Sequence, residues 1–299
     1  MKEKKQPVIS VIMSVYNQKN FRYLNDAVMS ILRQTFSDFE FIIYNDGSDD
    51  EILKQLQKYT ESDSRILLIN NPVNQGLAYS LNACIDVARG KYLARMDDDD
   101  ICDVRRLQVQ YDYLEKHQAA AFIGCNAALT DDDGVWGHRC MPEKPNRKDF
   151  LKFSPYIHPT VMIRRSVLEQ GNTYNTSRET LRCEDYELFM RLEEAGYRGY
   201  NIQQELFCYR EDYNSYQKRK LKYRLAEIQI RYQNFKKLKM LTPLGMLYAL
   251  RPLASAMVPS GLILYAKKYH SRQEMKNEEQ NEKKIITISE NTEKRAGII

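Results

Sequence analysis

Paired cysteines, Cys/His metal-binding spacings and long uninterrupted apolar runs are all missing from this sequence of 299 residues. Its six cysteines lie far apart and none belongs to a Cys-x-x-Cys pair, so neither a zinc site nor a disulfide framework is expected. The basic N-terminus leads directly into a strand-like run, without the apolar segment and small-residue cleavage site of a signal peptide. These absences predict a cytoplasmic protein.

Charge is nearly balanced over the whole chain but unevenly distributed along it. The formal net charge is +5. Between Tyr216 and Lys239 nine Lys or Arg residues accompany one acidic residue, Glu227, whereas Asp97 to Asp100 are four consecutive carboxylates. Adjacent carboxylates disfavour each other's ionised forms, and burying them costs more still unless a cation compensates them. The sequence therefore predicts a cationic segment and a separate acidic site that binds a cation.

Apolar, strand-like segments alternate with helix-like segments in the first part of the chain. Strands are predicted at residues 8–15, 39–44, 65–70 and 91–96, and helices at 21–32, 51–59, 77–88 and 104–116. We expect Gly90 to end the third helix in a left-handed conformation. This order is typical of parallel β-α-β units in an open sheet.

The second part of the chain is less regular. Strands are predicted at 120–129 and 158–164 around a turn at 131–134, and a helix from Glu184 to Ala195 is expected to end at Gly196.

Polar clusters follow three of the predicted strands, at Ser14–Asn17, Asn45–Ser48 and Asp97–Asp100. Ligands of open α/β sheets bind beyond such strand ends, and Mn²⁺ or Mg²⁺ prefers carboxylate oxygens. Alternate residues of an extended chain point to one side, so Asp97 and Asp99 are expected to share an ion while Asp98 faces away. Four aspartates alone would favour a solvated acidic turn that caps the following helix; the preceding buried strand and the two other polar strand ends favour the metal site instead.

Four runs in this order, ISVIMSVYN, YNDGSDD, NQGLAYSLNACIDVARGKYLARMDDDD and RCEDYELFMRLEEAG, resemble the family 2 glycosyltransferases with a GT-A fold. The resemblance covers residues 1–212 except the first few. It implies an α/β fold with a Rossmann-like, mainly parallel open sheet flanked by helices. Residues 1–118 would bind the nucleotide sugar and 119–212 the acceptor. The chain looks most like the bacterial enzymes of exopolysaccharide or capsule synthesis.

The resemblance also implies roles for individual residues in binding the donor. Asp97 and Asp99 would hold the metal and the diphosphate. The remaining nucleotide-sugar site would comprise Tyr16, Asn17, Asp46, Asn74, Gly76, Arg95 and Asp98, with Tyr16 and Asp46 at the base and Asp98 near the ribose. Two alternatives stay open, since Asn74 and Gly76 also suit a plain turn and Arg95 also suits an ion pair with an aspartate.

A catalytic base is implied at Glu184 and Asp185, with Asp185 as the better candidate. An inverting transfer needs a carboxylate near the acceptor hydroxyl, on the face opposite the departing diphosphate. Because Asp185 opens a predicted helix, an ordinary N-terminal cap is the alternative. His158 lies in a segment that resembles the acceptor side of the family. It is expected either to contact the acceptor or the metal, or to be a hydrogen-bonded structural histidine.

Residues 213–270 combine a cationic amphipathic helix with an apolar stretch. Uncharged residues run only from Pro252 to Ala266, short of the ~20 needed to span a bilayer. Such a helix is favoured at an anionic lipid surface, which predicts peripheral contact with the inner membrane leaflet or with other glycan-assembly proteins. A helical hairpin closing the core, or a subunit contact, is the alternative. No nucleic-acid motif accompanies the charge, and residues 271–299 are predicted to be disordered.

The function expected from the sequence is an inverting transfer of a sugar from a nucleotide sugar, UDP-linked, to a hydroxyl of a glycan or lipid-linked saccharide. A dinucleotide-dependent oxidoreductase is excluded because SVYNQKN, after the first strand, contains no glycine. Processive synthases of the same family carry a Gln-x-x-Arg-Trp motif. This motif is absent here, because the single tryptophan, Trp136, follows Val135 rather than Arg, and a processive synthase is therefore excluded. A glycosyltransferase-like protein that acts mainly by binding a partner through its C-terminal helices is the alternative.

Overall fold

Nine strands form one sheet in the computed structural model, which describes residues 6–212, 221–256, 258–259 and 261–273. The strands are β1 (Ile9–Val15), β2 (Phe39–Asp46), β3 (Ile66–Asn71), β4 (Tyr92–Met96), β5 (Ile101–Cys102), β6 (Ala120–Asp131), β7 (Gly134–Arg139), β8 (Met162–Arg164) and β9 (Arg198–Arg210). The helices are α1 (Phe21–Leu32), α2 (Asp50–Ser62), α3 (Leu77–Val87), α4 (Arg106–Lys116), α5 (Asp149–Lys152), α6 (Arg165–Leu168), α7 (Glu184–Glu194), α8 (Leu221–Lys237), α9 (Pro243–Ala256) and α10 (residues 261–273).

The strand order is β3-β2-β1-β4-β8-β6-β9-β5, with β7 paired to β6. The first four strands are parallel, with Val15 opposite Asn45 and Met13 opposite Met96. This register brings the carboxyl ends of β1, β2 and β4 to one edge of the sheet. The second half is mixed, because β8 runs antiparallel to both β4 and β6 while β9 is parallel to β6. The predicted α/β class is confirmed.

Both faces of the sheet are covered, which explains the continuous apolar runs of its strands. Successive side chains of a strand point to opposite faces: Val11 and Met13 join one apolar cluster, whereas Ile12 joins the other. The strand predicted at 158–164 is shorter than expected. His158–Thr160 form a 3₁₀ turn in which Pro159 has no N–H to donate to a strand, and β8 begins only at Met162.

Gly90 has a different role from the predicted one. Helix α3 ends at Val87 with Ala88 as its C-terminal cap, and Gly90 is not among the residues with positive φ. A Cβ at Gly90 would lie 2.4 Å from the backbone nitrogen of Ser10 and 2.7 Å from the carbonyl carbon of Ile9. Glycine is therefore required because the chain passes directly against the start of β1. By contrast Gly196, with φ +88°, does end α7 as predicted.

The helices after the first domain pack against it. Ile230 and Phe235 of α8 and Ala249 of α9 belong to the same apolar cluster as the inner side of α7. Arg231 donates a hydrogen bond to the carbonyl oxygen of Leu151 at 3.1 Å. Residues 221–256 thus form a helical hairpin that closes the core. This is the alternative that the sequence left open beside a helix at the membrane surface.

Helix α10 lies on the β6–β7 hairpin through Leu264, which packs with Leu129 and Trp136. It is described as far as residue 273, within the range predicted to be disordered. Residues 274–299, like residues 213–220, lie outside the described part of the chain. Among the helices that the structure describes, none combines the length and apolarity needed to cross a membrane.

We expect Gly90→Ala to lower the free energy of unfolding by about 1–3 kcal/mol, the usual cost of overpacking. Gly171→Ala is the matched control, because the space around Gly171 is open but its φ is +84°, so that only backbone strain of about 1 kcal/mol is added. Urea denaturation measures both values. A Gly90→Ala variant no less stable than Gly171→Ala would contradict the close approach to β1.

Candidate active site

A cleft of about 500 Å³ opens beyond the carboxyl ends of β1, β2 and β4; we call it the strand-end cleft. Its position follows from the parallel register, since the polar residues after each of these strands meet at the same edge. Nine of the predicted site residues line it: Tyr16, Asp46, Asn74, Gly76, Arg95, Asp97, Asp98, Asp99 and Glu184. Residues from distant parts of the sequence therefore form one site.

Asp46 organises one wall of this cleft. Its carboxylate accepts hydrogen bonds from the backbone N–H groups of Gln75 (2.9 Å) and Gly76 (2.8 Å) and from the amide of Asn74 (2.9 Å). Gly47 allows this approach, because a Cβ there would lie 2.5 Å from the Asn74 nitrogen. The observed role of Asp46 is to hold the 74–76 loop, so its predicted contact with the base stays a prediction.

Tyr16 and Asn17 follow β1 but face different surroundings. Tyr16 lines the cleft with 53% of its surface exposed, which leaves its ring available to stack on a ligand. Asn17 is not among the lining residues. It has φ +47°, and its side chain accepts a hydrogen bond from the backbone N–H of Asp49 at 3.0 Å. The structure thus gives Asn17 the role of joining two loops rather than a place in the cleft.

Three carboxylates converge at the end of β4. Oxygen atoms of Asp97, Asp99 and Asp100 all lie within 4.8 Å of one another, whereas Asp98 accepts a hydrogen bond from Gln18 at 3.4 Å. The predicted pairing of Asp97 with Asp99 agrees with this geometry. Alternation failed at Asp100, however, because the chain bends at residues 98–99 and turns this side chain into the cluster.

The cluster has the electrostatics of a cation site. Burial, and then the charges of Asp99 and Asp97, raise the pKa values of Asp98 and Asp100 well above the usual range of a carboxyl. Asp100 accepts a hydrogen bond from the backbone N–H of Arg210 at 2.7 Å, but its buried Oδ2 has no hydrogen-bond partner in the described structure. Three converging carboxylates and one buried oxygen without a partner fit a hard divalent cation such as Mn²⁺ or Mg²⁺.

Arg95 lies beneath this cluster. Its guanidinium forms an ion pair with Asp97, the alternative that the sequence left open, and it is 4% exposed. Burial, the largest single influence, lowers the pKa of the guanidinium, but the charge and hydrogen bond of Asp97 together with the charges of Tyr174 and Asp100 outweigh it and raise that pKa overall. Arg95 thus offsets part of the negative charge, and one arginine does not neutralise four aspartates.

A second cavity of about 430 Å³ lies beside the cleft, and Tyr209 lines both. Asp185 and His158 line this second cavity, while Glu184 lines the strand-end cleft. His158 Nε2 lies 2.7 Å from the Tyr174 hydroxyl. Burial, then the charge of Arg95, lowers the pKa of His158 well below its usual value. His158 is therefore neutral and lies apart from the carboxylate cluster, which favours an acceptor contact or a structural role over metal binding.

Asp185 lies in the first turn of α7 and lines the second cavity. The N-cap of α7 is Cys183, which makes no side-chain capping bond. Burial, then the charge of Glu184, raises the pKa of Asp185 to about 6. Burial likewise raises the pKa of Glu184. A carboxylate with a pKa near neutrality that faces a cavity is suited to accept a proton.

Sequence reasoning missed several residues of the site, among them Asp100 of the carboxylate cluster and four residues that line the strand-end cleft: Arg182, Tyr209, Arg210 and Tyr223. Arg210 reaches the cluster only because β5 pairs with β9, and its Nε donates a hydrogen bond to the carbonyl oxygen of Asp99 at 3.1 Å. Tyr223 comes from α8. Arg182 adopts φ +70°, an uncommon conformation for a residue other than glycine. Of these residues, only Arg182 could have been found from the sequence, because it lies two residues before the predicted pair Glu184–Asp185.

A family model described as glycosyl transferase family 2 matches residues 10–171, more than half of the chain. The chain belongs to this family. EpsE of Bacillus subtilis, which is named as a glycosyltransferase, is 36% identical over 275 residues, covering 91% of this chain and 96% of EpsE. The O-antigen biosynthesis glycosyltransferase WbnJ of Escherichia coli is 33% identical over 223 residues, covering 72% of this chain and 84% of WbnJ. The predicted family and the glycosyltransferase activity are confirmed.

Solved structures show that this family 2 member has the predicted GT-A fold. TarS of S. aureus (residues 1–349) in complex with UDP-GlcNAc superposes with a TM-score of 0.61 at 17% identity, covering 83% of this chain and 71% of TarS. A mannosyltransferase of Pyrobaculum calidifontis in complex with GDP-Man and Mn²⁺ gives a TM-score of 0.56 at 16% identity, covering 88% and 80% of the two chains.

We expect Asp100→Asn to weaken Mn²⁺ binding about tenfold or more, because it removes one charge from the three-carboxylate cluster. Asp103→Asn is the matched control, since Asp103 is paired with Arg105 at 3.0 Å outside the cluster. Calorimetric titration of each purified variant with Mn²⁺ in the presence of UDP measures the affinity. Equal affinity of the Asp100→Asn variant and the wild type would exclude Asp100 as a ligand.

Proposed function

We propose that this family 2 glycosyltransferase transfers a sugar with inversion from a UDP-linked donor to a hydroxyl of a glycan or lipid-linked saccharide in exopolysaccharide or capsule synthesis. One observation carries the proposal: the consecutive residues Glu184 and Asp185 face two adjoining cavities. One cavity contains the carboxylate cluster, and the other contains the side chain suited to accept a proton. Two adjoining cavities of different chemistry are what a transfer between a donor and an acceptor requires.

The strand-end cleft is the proposed donor site. Tyr16 would stack on the base, while Asp98 and Arg182 lie beside the ribose and diphosphate. Asp97, Asp99 and Asp100 would hold Mn²⁺ or Mg²⁺, which when bound supplies positive charge against the diphosphate. Support comes from relatives of the same fold, since TarS structures contain UDP or UDP-GlcNAc and the Pyrobaculum mannosyltransferase contains GDP-Man with Mn²⁺.

The second cavity is the proposed acceptor site. Asp185 accepts the proton of the acceptor hydroxyl as its oxygen attacks the anomeric carbon from the face opposite the diphosphate. The bond between the anomeric carbon and the diphosphate oxygen breaks, and its electron pair leaves with the nucleoside diphosphate. Attack from the opposite face inverts the configuration of the anomeric carbon. The names of EpsE and WbnJ as glycosyltransferases, the latter of O-antigen biosynthesis, agree with a polysaccharide acceptor.

We expect Asp185→Asn to lower kcat by about 10²–10⁴-fold, the usual contribution of a general base, while UDP binding in the presence of Mn²⁺ is unchanged. Glu179→Gln is the control, because Glu179 is exposed and lies before the same helix. In the wild type, kcat/KM should fall tenfold per pH unit below pH about 6, since only the ionised Asp185 accepts a proton. Full activity of the Asp185→Asn variant would exclude this residue as the base.

Peripheral contact with the cytoplasmic face of the membrane is proposed for α9. Leu244, Leu247 and Leu250 recur at every third position of this helix and are 55%, 67% and 48% exposed. An exposed apolar row of this kind, on a chain with a cationic α8, is favoured at an anionic lipid surface. Contact with other glycan-assembly proteins through the same row is the competing interpretation.

We expect the Leu247→Asp/Leu250→Asp variant to lose most of its binding to anionic liposomes, because two carboxylates oppose insertion into the interface. Val104→Asp is the control, since Val104 is 45% exposed on another part of the surface. Flotation of the full-length proteins measures the bound fraction. Flotation of the double variant equal to that of Val104→Asp would remove the membrane proposal and leave the row as a protein-binding surface.

A further inference from the structure

Helix α10 forms part of the wall of the second cavity. Its Leu264 packs with Leu129 and Trp136 of the β6–β7 hairpin, and its Lys268 forms an ion pair with Asp131 of β6. The helix is thus attached by an apolar contact and by a charged contact. A segment whose sequence indicated membrane attachment is, in the fold, a structural part of the catalytic domain.

The contact between α10 and the hairpin is closest at Gly137. A Cβ at this position would lie 2.7 Å from Oγ and 2.8 Å from Cβ of Ser271. Any larger side chain would have to displace the helix or shift the strand. Gly137 therefore sets how closely α10 approaches the hairpin, and hence where the other side chains of the helix lie.

This packing brings Lys267 into the lining of the second cavity. Its Nζ lies 2.6 Å from Oε2 of Glu211, and Nη2 of Arg139 lies 3.1 Å from the same oxygen. Glu211 is buried, and the cavity is lined by the two cations in front of it. Because the two cations share this one carboxylate, the three side chains together carry one net positive charge, and it is the cations that line the cavity.

The same cavity contains the groups that a sugar ring requires. Tyr156, Tyr209 and Phe153 provide aromatic surface, and Asp185 provides the carboxylate. A saccharide whose hydroxyl reaches Asp185 occupies a space of about 430 Å³ that also contains both cations. A substituent elsewhere on that saccharide can therefore meet Arg139 and Lys267 while the hydroxyl stays at Asp185.

We propose that Arg139 and Lys267 bind a negatively charged group of the acceptor, a carboxylate or a phosphate, and thereby select an acidic saccharide. The inference rests on the proposed function only in taking the second cavity as the acceptor site. Charge-assisted hydrogen bonds from Arg and Lys to such groups are among the strongest in proteins. They also orient the acceptor, because the charged end is fixed at one place and the reacting hydroxyl at another.

The single tryptophan, Trp136, allows a direct test. Nζ of Lys267 and Nζ of Lys268 lie 5.7 and 5.6 Å from the centroid of its ring. Full-length protein with saturating UDP and Mn²⁺, which fill the donor cleft, is titrated with glucose 1-phosphate, methyl glucuronide or methyl glucoside while Trp136 emission is recorded. We expect saturable binding of at least one charged probe and binding of the neutral glucoside that is about tenfold weaker or more.

Lys267→Gln should weaken binding of the charged probe about tenfold or more, whereas Arg272→Gln, which removes an exposed cation of the same helix outside the cavity lining, should leave it unchanged. Gly137→Ala should reproduce the loss without altering either cation and should shift Trp136 emission to longer wavelength, because α10 is displaced from the hairpin. Selective binding of glucose 1-phosphate or of the glucuronide identifies the charged group as a phosphate or a carboxylate.

Equal binding of charged and neutral probes, no binding of any probe, or equal losses in the Lys267→Gln and Arg272→Gln variants would overturn the proposal. Binding of UDP with Mn²⁺ is measured on the same samples. Its absence from the wild type would reject the proposed function, whereas its presence without selection for charge rejects only the acidic acceptor.

Discussion

The structure of the site depends on the mutual repulsion of carboxylates at the end of β4. Oxygen atoms of Asp97, Asp99 and Asp100 lie within 4.8 Å of one another, and burial, followed by the charges of Asp99 and Asp97, raises the pKa values of Asp98 and Asp100. Arg95 offsets only part of the negative charge. The arrangement fits the divalent cation that is proposed for this site, and the surrounding strands fix the cluster in place beforehand.

The sequence was sufficient for the parallel half of the fold, because its strands are buried on both faces and carry polar residues at their ends. Register then placed Tyr16, Asp46 and Asp97 together, as parallel pairing requires. The sequence was insufficient for residues that reach the site through the pairing of strands distant along the chain. Arg210 reaches Asp99 through the β5–β9 contact, and the bend at residues 98–99 that brings Asp100 into the cluster has no signal in local alternation. Gly90 was misassigned because a close approach to a distant strand has no local signature.

The segment after residue 212 shows a limit of a different kind. Cationic and apolar residues on one helix are compatible with a lipid surface or with a protein core, and composition does not distinguish them. In the structure α8 contributes Tyr223 to the strand-end cleft, and α10 contributes Lys267 to the second cavity. An apolar row on α9 stays exposed. The three helices thus combine closure of the core, completion of the two cavities and an outward-facing surface.

Glu184 and Asp185 are consecutive residues in the first turn of α7, so their side chains point about 100° apart around the helix axis. The helical backbone sets this angle, so Glu184 lines the strand-end cleft while Asp185 lines the second cavity. Any rotation of α7 therefore moves both carboxylates at once, each relative to the cavity that it lines. In the proposed reaction, a rotation that refits one substrate also shifts the carboxylate that faces the other, so that separate changes in donor and acceptor specificity are expected in the walls that face this helix.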